Sequence, residues 1–310
     1  IPLSKGMAAV HIPSVRQMLR ARGGDMAAVL VESARQDPLW GLLLGQALDQ
    51  IFARPERSPE TLDRCPDTAV ISRLALGPLV TALCLKARDI AMHEGYPCVY
   101  YASRDGWLPS RVHAVLQEKL GGPEGIYFHA GRRAYFPFLA DSFIEYARTR
   151  KLAADLDSYT LEDLLRGHFS SEADQLLALL TKEELDIPFC KQQQRCLSIL
   201  ERIDGPLSNL MEIRKERARR YYASVFPSAA NRFLVFDMGY SGSISIALST
   251  IAGKPFDKLY CWQNETNQTA DAQNGTKTFL LMQKEDYLPY HLILEEMFSP
   301  CSGGVVDFDE

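Results

Sequence analysis

Phe233-Leu-Val-Phe-Asp237-Met-Gly-Tyr-Ser-Gly-Ser243 is the stretch of this sequence that predicts the fold most directly. Its four leading apolar residues predict a short buried strand, which ends at Asp237. Small residues follow, and apolar residues at helical spacing after Ser243 predict that a helix begins there. A strand, a loop of small residues and a helix N-terminus are the arrangement with which α/β proteins hold phosphate groups.

An acidic residue at the end of this strand changes the expected ligand. A carboxylate repels phosphate, but it accepts hydrogen bonds from sugar hydroxyls and helps to hold a metal ion. The loop 239–243 and the free N–H groups of the first helical turn would hold the phosphate itself. We therefore expect a phosphorylated sugar rather than bare phosphate.

The composition is that of an ordinary globular protein. The chain has 310 residues, of which 46% are hydrophobic and 24% are charged, so one or two domains are expected. A net charge of −5 gives no support to nucleic-acid binding, which needs a basic surface.

The seven cysteines are scattered and form no Cys-x-x-Cys pair. This pattern favours a reducing compartment, hence the cytoplasm, over a disulfide framework. No apolar run is long enough to span a bilayer.

Short apolar runs alternate with helical periodicity at both ends of the chain. Strands are predicted at 98–102, 126–129, 258–262 and 278–282, in addition to the one that ends at Asp237. This alternation predicts an α/β fold with an open, mostly parallel sheet and helices on both faces.

Residues 138–225 differ from this pattern, because they are rich in Leu, Glu, Arg and Lys. They predict a helical insertion or cap, with a capping box at Thr160-Leu-Glu-Asp163. The basic run 214–220 is interpreted as a solvated helix face. The predicted domains are then residues 1–13 as the last strand of an upstream domain, 14–67 as a helical linker, 68–137 and 226–310 as the α/β core, and 138–225 as the cap.

Polar residues follow three of the predicted strands, as Ser103-Arg-Asp-Gly106, as Arg132-Arg133, and as the stretch after Phe236. Ligands of open α/β sheets lie outside the carboxyl ends of the strands. Several arginines that face one carboxylate and a Gly/Ser loop would suit a sugar with phosphates at two places. The alternative is that Asp237 and Arg104 only cap turns or pair with each other.

The segments Tyr100-Tyr-Ala-Ser-Arg-Asp-Gly-Trp107, Gly131-Arg-Arg-Ala-Tyr135 and Phe236-Asp-Met-Gly-Tyr-Ser-Gly-Ser243 resemble the ordered signatures of a family from bacterial surface-polysaccharide (O-antigen) gene clusters. Members of that family often carry an upstream phosphatase domain of the haloacid dehalogenase (HAD) type, and many are called HAD-superfamily hydrolases. Residues 1–13 are similar to the closing strand of such a domain. The resemblance extends over residues 68–310 and is least distinctive in the insertion.

The third segment in turn resembles the phosphoribosyltransferase fingerprint. This resemblance implies a phosphoribosyltransferase-like sheet and the transfer of 5-phosphoribose from phosphoribosyl pyrophosphate, or another phosphorylated sugar, to a glycan hydroxyl. Mg²⁺ would accompany the pyrophosphate donor, and an HAD phosphatase domain or other polysaccharide-synthesis proteins would be partners. The usual fingerprint has two adjacent acids, and Met238 occupies the second position here.

The resemblance also implies roles for individual residues. Asp237 would hold the ribose hydroxyls and, through the substrate, the metal ion. The candidate catalytic residues that the resemblance implies are Arg104, Asp105 and Asp237. The candidate substrate-binding residues that it implies are Ser103, Gly106, Arg132, Arg133, Gly239, Tyr240, Ser241, Gly242 and Ser243. On the last predicted helix, His291 and Glu295 are the remaining acid/base and substrate-binding candidates.

Two other functions stay open at this point. Gly239-Tyr-Ser241-Gly-Ser243 is one residue short of the Gly-x-Ser-x-Gly motif of serine hydrolases, which would make Ser241 a nucleophile. The chain would alternatively be a non-catalytic adaptor for a phosphatase that acts on a sugar phosphate through its upstream domain. The Asp-x-Asp-x-Thr motif of such a phosphatase is missing from this sequence.

Overall fold

The computed structural model describes residues 76–149, 158–228, 230–239, 242–264, 271, 275–284, 291–300 and 308. The chain divides into two compact units, Ile1–Val80 and Thr81–Glu310. All but residues 76–80 of the first unit lie outside the described residues, and so do the predicted segments 1–13 and 14–67.

A parallel sheet of five strands forms the centre of the second unit. The strands are β1 (Cys98–Ala102), β2 (Glu124–Phe128), β3 (Phe233–Asp237), β4 (Phe256–Tyr260) and β5 (Thr278–Leu280). Their order is β2-β1-β3-β4-β5, and every neighbouring pair is parallel. The predicted α/β fold with a parallel sheet is confirmed. The order is that of flavodoxin-like doubly wound sheets, and the phosphoribosyltransferase-like type stays a prediction.

Helices connect the strands and account for most of the remaining described residues. They are α1 (Gly77–Glu94), α2 (Trp107–Leu120), α3 (Arg132–Tyr135), α4 (Phe143–Thr149), α5 (Leu161–Phe169), α6 (Ala173–Leu177), α7 (Lys182–Leu185), α8 (Gln193–Arg202), α9 (Asp204–Val225), α10 (Ser243–Ala252) and α11 (His291–Phe298). Short 3₁₀ turns occur at Phe136–Phe138 and Ser170–Glu172. The predicted helix start at Ser243 is confirmed.

Strand β4 begins at Phe256, earlier in the chain than the predicted 258–262. The prediction left Asp257 outside the strand. In the structure both charged residues of β4 are buried and have partners. The carboxylate of Asp257 accepts hydrogen bonds from the Tyr96 hydroxyl at 2.7 Å and from Arg232 Nε at 3.1 Å. Since these partners satisfy the carboxylate, the strand extends through the acid.

The region between β2 and β3 is helical in its described parts, apart from one bridge between Thr160 and Pro188. Its buried side chains form a hydrophobic cluster of their own, which includes Phe143 and Leu200. The predicted capping box is confirmed, since Thr160 Oγ1 accepts from the Asp163 N–H at 3.2 Å and the Asp163 carboxylate accepts from the Thr160 N–H at 2.9 Å.

The interpretation of 214–220 as a solvated face is wrong for Arg214, which is 0% exposed. Its guanidinium lies over the rings of Phe136 and Phe169, at 5.5 and 5.8 Å from their centroids, and donates to the carbonyl of His168. Arg214 lies four residues after buried Leu210, so the helical period places it on the apolar face of α9. The same spacing is visible in the sequence.

Replacing Arg214 with alanine should lower the free energy of unfolding by about 3 kcal/mol, because the change opens a cavity and leaves a buried carbonyl without its donor. Urea denaturation monitored by circular dichroism measures this. Arg220→Ala, at an exposed position of the same helix, is the matched control and should change the value by less than about 0.5 kcal/mol. Equal losses in both variants would contradict the buried role of Arg214.

Candidate functional site

The carboxyl ends of β1 and β3 lie side by side, because the two strands are neighbours in the sheet. The chain leaves β1 toward β2 on one side and leaves β3 toward β4 on the other. The two connections diverge and leave a crevice between them, which is where open α/β sheets bind ligands. A cavity of about 120 Å³ lies at this position.

Four parts of the chain line this cavity, and three of them are the predicted strand tips. The lining residues are Ala102, Ser103, Arg104 and Asp105 after β1, Ala130, Gly131 and Arg132 after β2, Asp237, Gly239, Ser243 and Ile244 after β3, and Glu295 from α11. The structure therefore brings Arg104 and Asp237 to one cavity, together with half of the other predicted site residues.

Some predicted site residues lie elsewhere. Gly106 caps the start of α2, and a Cβ there would lie 2.4 Å from the Ala102 carbonyl oxygen, so the position requires glycine. Arg133 lines a different cavity, and His291 is absent from the lining although it lies on α11. Tyr240 and Ser241 lie outside the described residues.

Asp237 is the acidic centre of the cavity. Its Oδ1 accepts a hydrogen bond from the Gly239 N–H at 3.0 Å. Burial raises the pKa of its carboxyl, and the Gly239 hydrogen bond and the charges of Arg132 and Arg104 partly oppose this shift. The next residue, Met238, is 0% exposed and belongs to the core rather than to the cavity.

Asp105 adds a second carboxyl from the neighbouring strand tip. Burial, with the negative charges of Asp237 and Glu295, raises its pKa to about 7. Arg104 and a hydrogen bond from Ser299 Oγ, at 3.4 Å, oppose the shift. Because its pKa lies near neutrality, this group can either donate or accept a proton under physiological conditions.

Arg104 is held in a conformation that non-glycine residues seldom adopt, with φ at +69°. Such a conformation costs on the order of 1–3 kcal/mol and is typical of functional loops. Its backbone N–H donates to the Tyr127 hydroxyl at 3.4 Å. The preceding Ser103 hydroxyl donates to the Ala130 carbonyl and accepts from the Ala130 N–H at 2.8 Å. These bonds join the loops after β1 and β2.

A buried ion pair beneath the loop after β3 was not predicted. Lys258 Nζ lies 2.5 Å from Oδ1 of Asp271, and Asp271 Oδ2 accepts from Gln263 Nε2 at 2.8 Å. A Cβ on Gly242 would lie 3.0 Å from Lys258 Nζ and 3.3 Å from the Tyr260 hydroxyl. Gly242 therefore packs against this polar network. The signal available in the sequence was a lysine at the start of the otherwise apolar predicted strand 258–262.

Comparison of the chain with protein-family models found no matching family, and comparison with curated proteins found no match. Across the described ranges, no helix combines the length and the apolar character needed to cross a membrane. Function is therefore inferred from the residues of the site.

The pKa of Asp105 predicts a pH-dependent stability. Between about pH 4 and pH 7 the folded state keeps a proton that the unfolded state, with the ordinary value of 3.8, has lost. Stability from this group is therefore present at low pH and is lost as the pH rises through about 7. Asp105→Asn removes the titration, so the variant should become more stable than the wild type as the pH rises, by at most about 4 kcal/mol.

Urea denaturation of both proteins at pH 4.5, 6 and 8 measures this difference. Asp89→Asn, at a carboxylate whose side chain is 71% exposed, is the control. An equal pH-dependent gap in the control variant would show that the effect does not come from burial at the site.

Gly242→Ala should destabilise the protein by about 1–2 kcal/mol more than Gly253→Ala. Both glycines have left-handed backbones, at φ +71° and +63°, and they flank the same helix α10. Only Gly242 is tightly surrounded, because a Cβ at Gly253 meets nothing within 4 Å. Thermal denaturation compares the two variants. Equal melting temperatures would mean that Gly242 does not pack tightly against the Lys258 network.

Proposed function

We propose that this chain is a phosphoribosyltransferase-like glycosyltransferase. It would transfer 5-phosphoribose from phosphoribosyl pyrophosphate to a hydroxyl of a glycan acceptor in bacterial surface-polysaccharide synthesis. The observation that carries the proposal is the cavity at which Arg104 and Arg132 face Asp237 and the start of α10. The resemblance of the three strand-tip segments to that family supports the choice of donor.

The loop after β3 suits the 5-phosphate of the donor. Ser243 opens α10 and lines the cavity, so the positive end of this ten-residue helix lies at the cavity edge. Gly239 brings the backbone close to Asp237. The carboxylate of Asp237 would then accept hydrogen bonds from the ribose hydroxyls.

The cavity is smaller than the roughly 300–1,000 Å³ of typical ligand pockets. It would therefore enclose part of the donor, with the rest over its rim. Arg104 and Arg132 supply positive charge where the pyrophosphate leaves. Loss of pyrophosphate makes the sugar resemble an oxocarbenium ion, so stabilising the departing charge is the main catalytic requirement.

The transfer forms a bond between the anomeric carbon and the acceptor oxygen and breaks the bond to pyrophosphate. The acceptor hydroxyl loses its proton, and Asp105 is the group best suited to receive it. Its pKa of about 7 matches a general base that works near neutral pH. Of the earlier acid/base candidates, Glu295 shares the cavity with Asp105 and His291 does not line it.

Mg²⁺ fits this site as a companion of the donor. In the described ranges, no group of three His, Cys, Asp or Glu side chains could hold a metal ion alone. Magnesium commonly binds through one or two carboxylates together with substrate phosphates. Burial raises the pKa of Asp105, the charges of Asp237 and Glu295 raise it further, and a cation would oppose the contribution of these charges. Asp237 would hold the ion through the substrate, and the ion would neutralise pyrophosphate charge.

Calorimetric titration with phosphoribosyl pyrophosphate and Mg²⁺ tests the proposal. The wild type should bind, and Asp237→Asn should bind at least about tenfold more weakly, because it loses the charged acceptor for the ribose hydroxyls. Asp89→Asn is the control for the loss of one negative charge and should bind as the wild type does. No binding by the wild type, or unchanged binding by Asp237→Asn, would contradict the proposal.

Two further assays separate the competing functions. Pyrophosphate release that depends on an added glycan would exclude the adaptor, which captures partners without chemistry. Labelling of Ser241 by a fluorophosphonate probe would instead favour the serine hydrolase.

A further inference from the structure

A second cavity, of about 480 Å³, lies between α3 and the cap. Arg133 of α3 contributes one wall. The other lining residues come from the cap, from α5 and the residues just before it, and are Ser158, Tyr159, Asp163, Arg166 and Gly167. Its volume lies within the range of typical small-molecule sites. The cap thus provides most of a ligand-sized polar cavity.

Among the described residues, Arg133 is the cation of this cavity that has no partner within the protein. Its side chain is exposed and makes no hydrogen bond or ion pair with any residue in the part of the chain that the structure describes. Arg166 is already neutralised, because its Nε lies 2.8 Å from Glu162 Oε1 and its Nη1 lies 2.8 Å from Asp174 Oδ1.

The carboxylate of Asp163 is also engaged within the protein. Its Oδ2 accepts hydrogen bonds from the N–H and the hydroxyl of Thr160, each at 2.9 Å. The carboxylate therefore serves the N-terminus of α5 rather than a ligand. Arg166 is paired with two carboxylates, whereas Asp163 is hydrogen-bonded to Thr160 and keeps its negative charge. Among the described residues of the cavity, the guanidinium of Arg133 is then the positive charge without a protein partner, and guanidinium groups recognise carboxylate and phosphate groups.

Tyr159 supplies an aromatic side chain beside this charge. A Cβ at Gly167 would lie 3.2 Å from the Tyr159 hydroxyl, so the glycine lets this tyrosine pack close to α5. The Tyr159 hydroxyl donates to the Asp163 carbonyl at 3.2 Å, which fixes the ring. A fixed aromatic ring next to hydrogen-bonding groups is a suitable surface for a sugar.

We propose that this second cavity binds an anionic sugar residue of the glycan acceptor and that Arg133 holds its carboxylate or phosphate. The identification as an acceptor site rests on the proposed function. Its structural basis is that Arg132 and Arg133 are consecutive in α3 and line different cavities. Consecutive helical residues point about 100° apart, so one turn of helix would place acceptor and donor side by side.

Saturation-transfer NMR titrations test the cavity directly and need no donor. The probes are methyl β-D-glucuronide, methyl β-D-glucoside 6-phosphate and the neutral methyl β-D-glucoside. The wild type should bind at least one of the anionic probes about tenfold more tightly than the neutral one, because a charge-assisted hydrogen bond adds to the contacts of the ring. The preferred probe identifies whether a carboxylate or a phosphate is recognised.

Arg133→Ala should abolish this preference and leave the affinity for phosphoribosyl pyrophosphate unchanged. Arg132→Ala should do the reverse, so each variant is the control of the other. Arg133→Lys, which keeps the charge without the planar fork, should retain part of the preference.

Equal binding of anionic and neutral probes, or a preference that survives Arg133→Ala, would overturn the proposal. Failure of the proposed function looks different, because phosphoribosyl pyrophosphate would then not bind while the glucuronide titrations still report on the second cavity.

Discussion

The parallel pairing of β1 with β3 is the constraint on which the site depends. Its register aligns Tyr101 with Phe236, so the next residue of each strand, Ala102 and Asp237, lies at the same edge of the sheet. The loop after β1 is thereby set opposite the carboxylate that ends β3. A shift of the register by one residue would turn Asp237 to the other face and would separate it from Arg104. The apolar side chains that bury these two strands therefore also position Arg104 and Asp237 at the cavity.

The charges in the crevice are incompletely balanced by one another. Three carboxyl groups, those of Asp105, Asp237 and Glu295, share a small cavity with two arginines. Burial, with the charges of Asp237 and Glu295, raises the pKa of Asp105, and burial raises that of Asp237, so the site favours uptake of a proton. The left-handed backbone at Arg104 adds strain at the same place. The packing of the sheet offsets both the unbalanced charge and the backbone strain. A ligand that brings phosphates and a cation together would reduce the unbalanced charge.

The sequence predicted the strands that carry the site because each is an apolar run that ends in polar or small residues. It placed β4 too late, since the partners that allow Asp257 to be buried, Tyr96 and Arg232, are distant in the chain. The Lys258 network was also missed, because its partner Asp271 lies outside the strand.

The separation of Arg133 from Arg132 was not foreseen because both were interpreted as a strand tip. They belong to a helical turn, in which consecutive side chains point about 100° apart and so reach different cavities.

The structure also changes the meaning of the missing second acid. At the position after Asp237 the side chain of Met238 is fully buried, so an acid there would sit in the core rather than among the ligand-binding groups. The second carboxyl group of the cavity comes instead from Asp105, on the neighbouring strand tip. Burial and the neighbouring charge of Asp237 raise the pKa of the Asp105 carboxyl, which places the two groups close together. A pair of carboxyl groups is therefore present in this site. Because its two members come from different loops, a motif read along one segment of the chain finds only one of them.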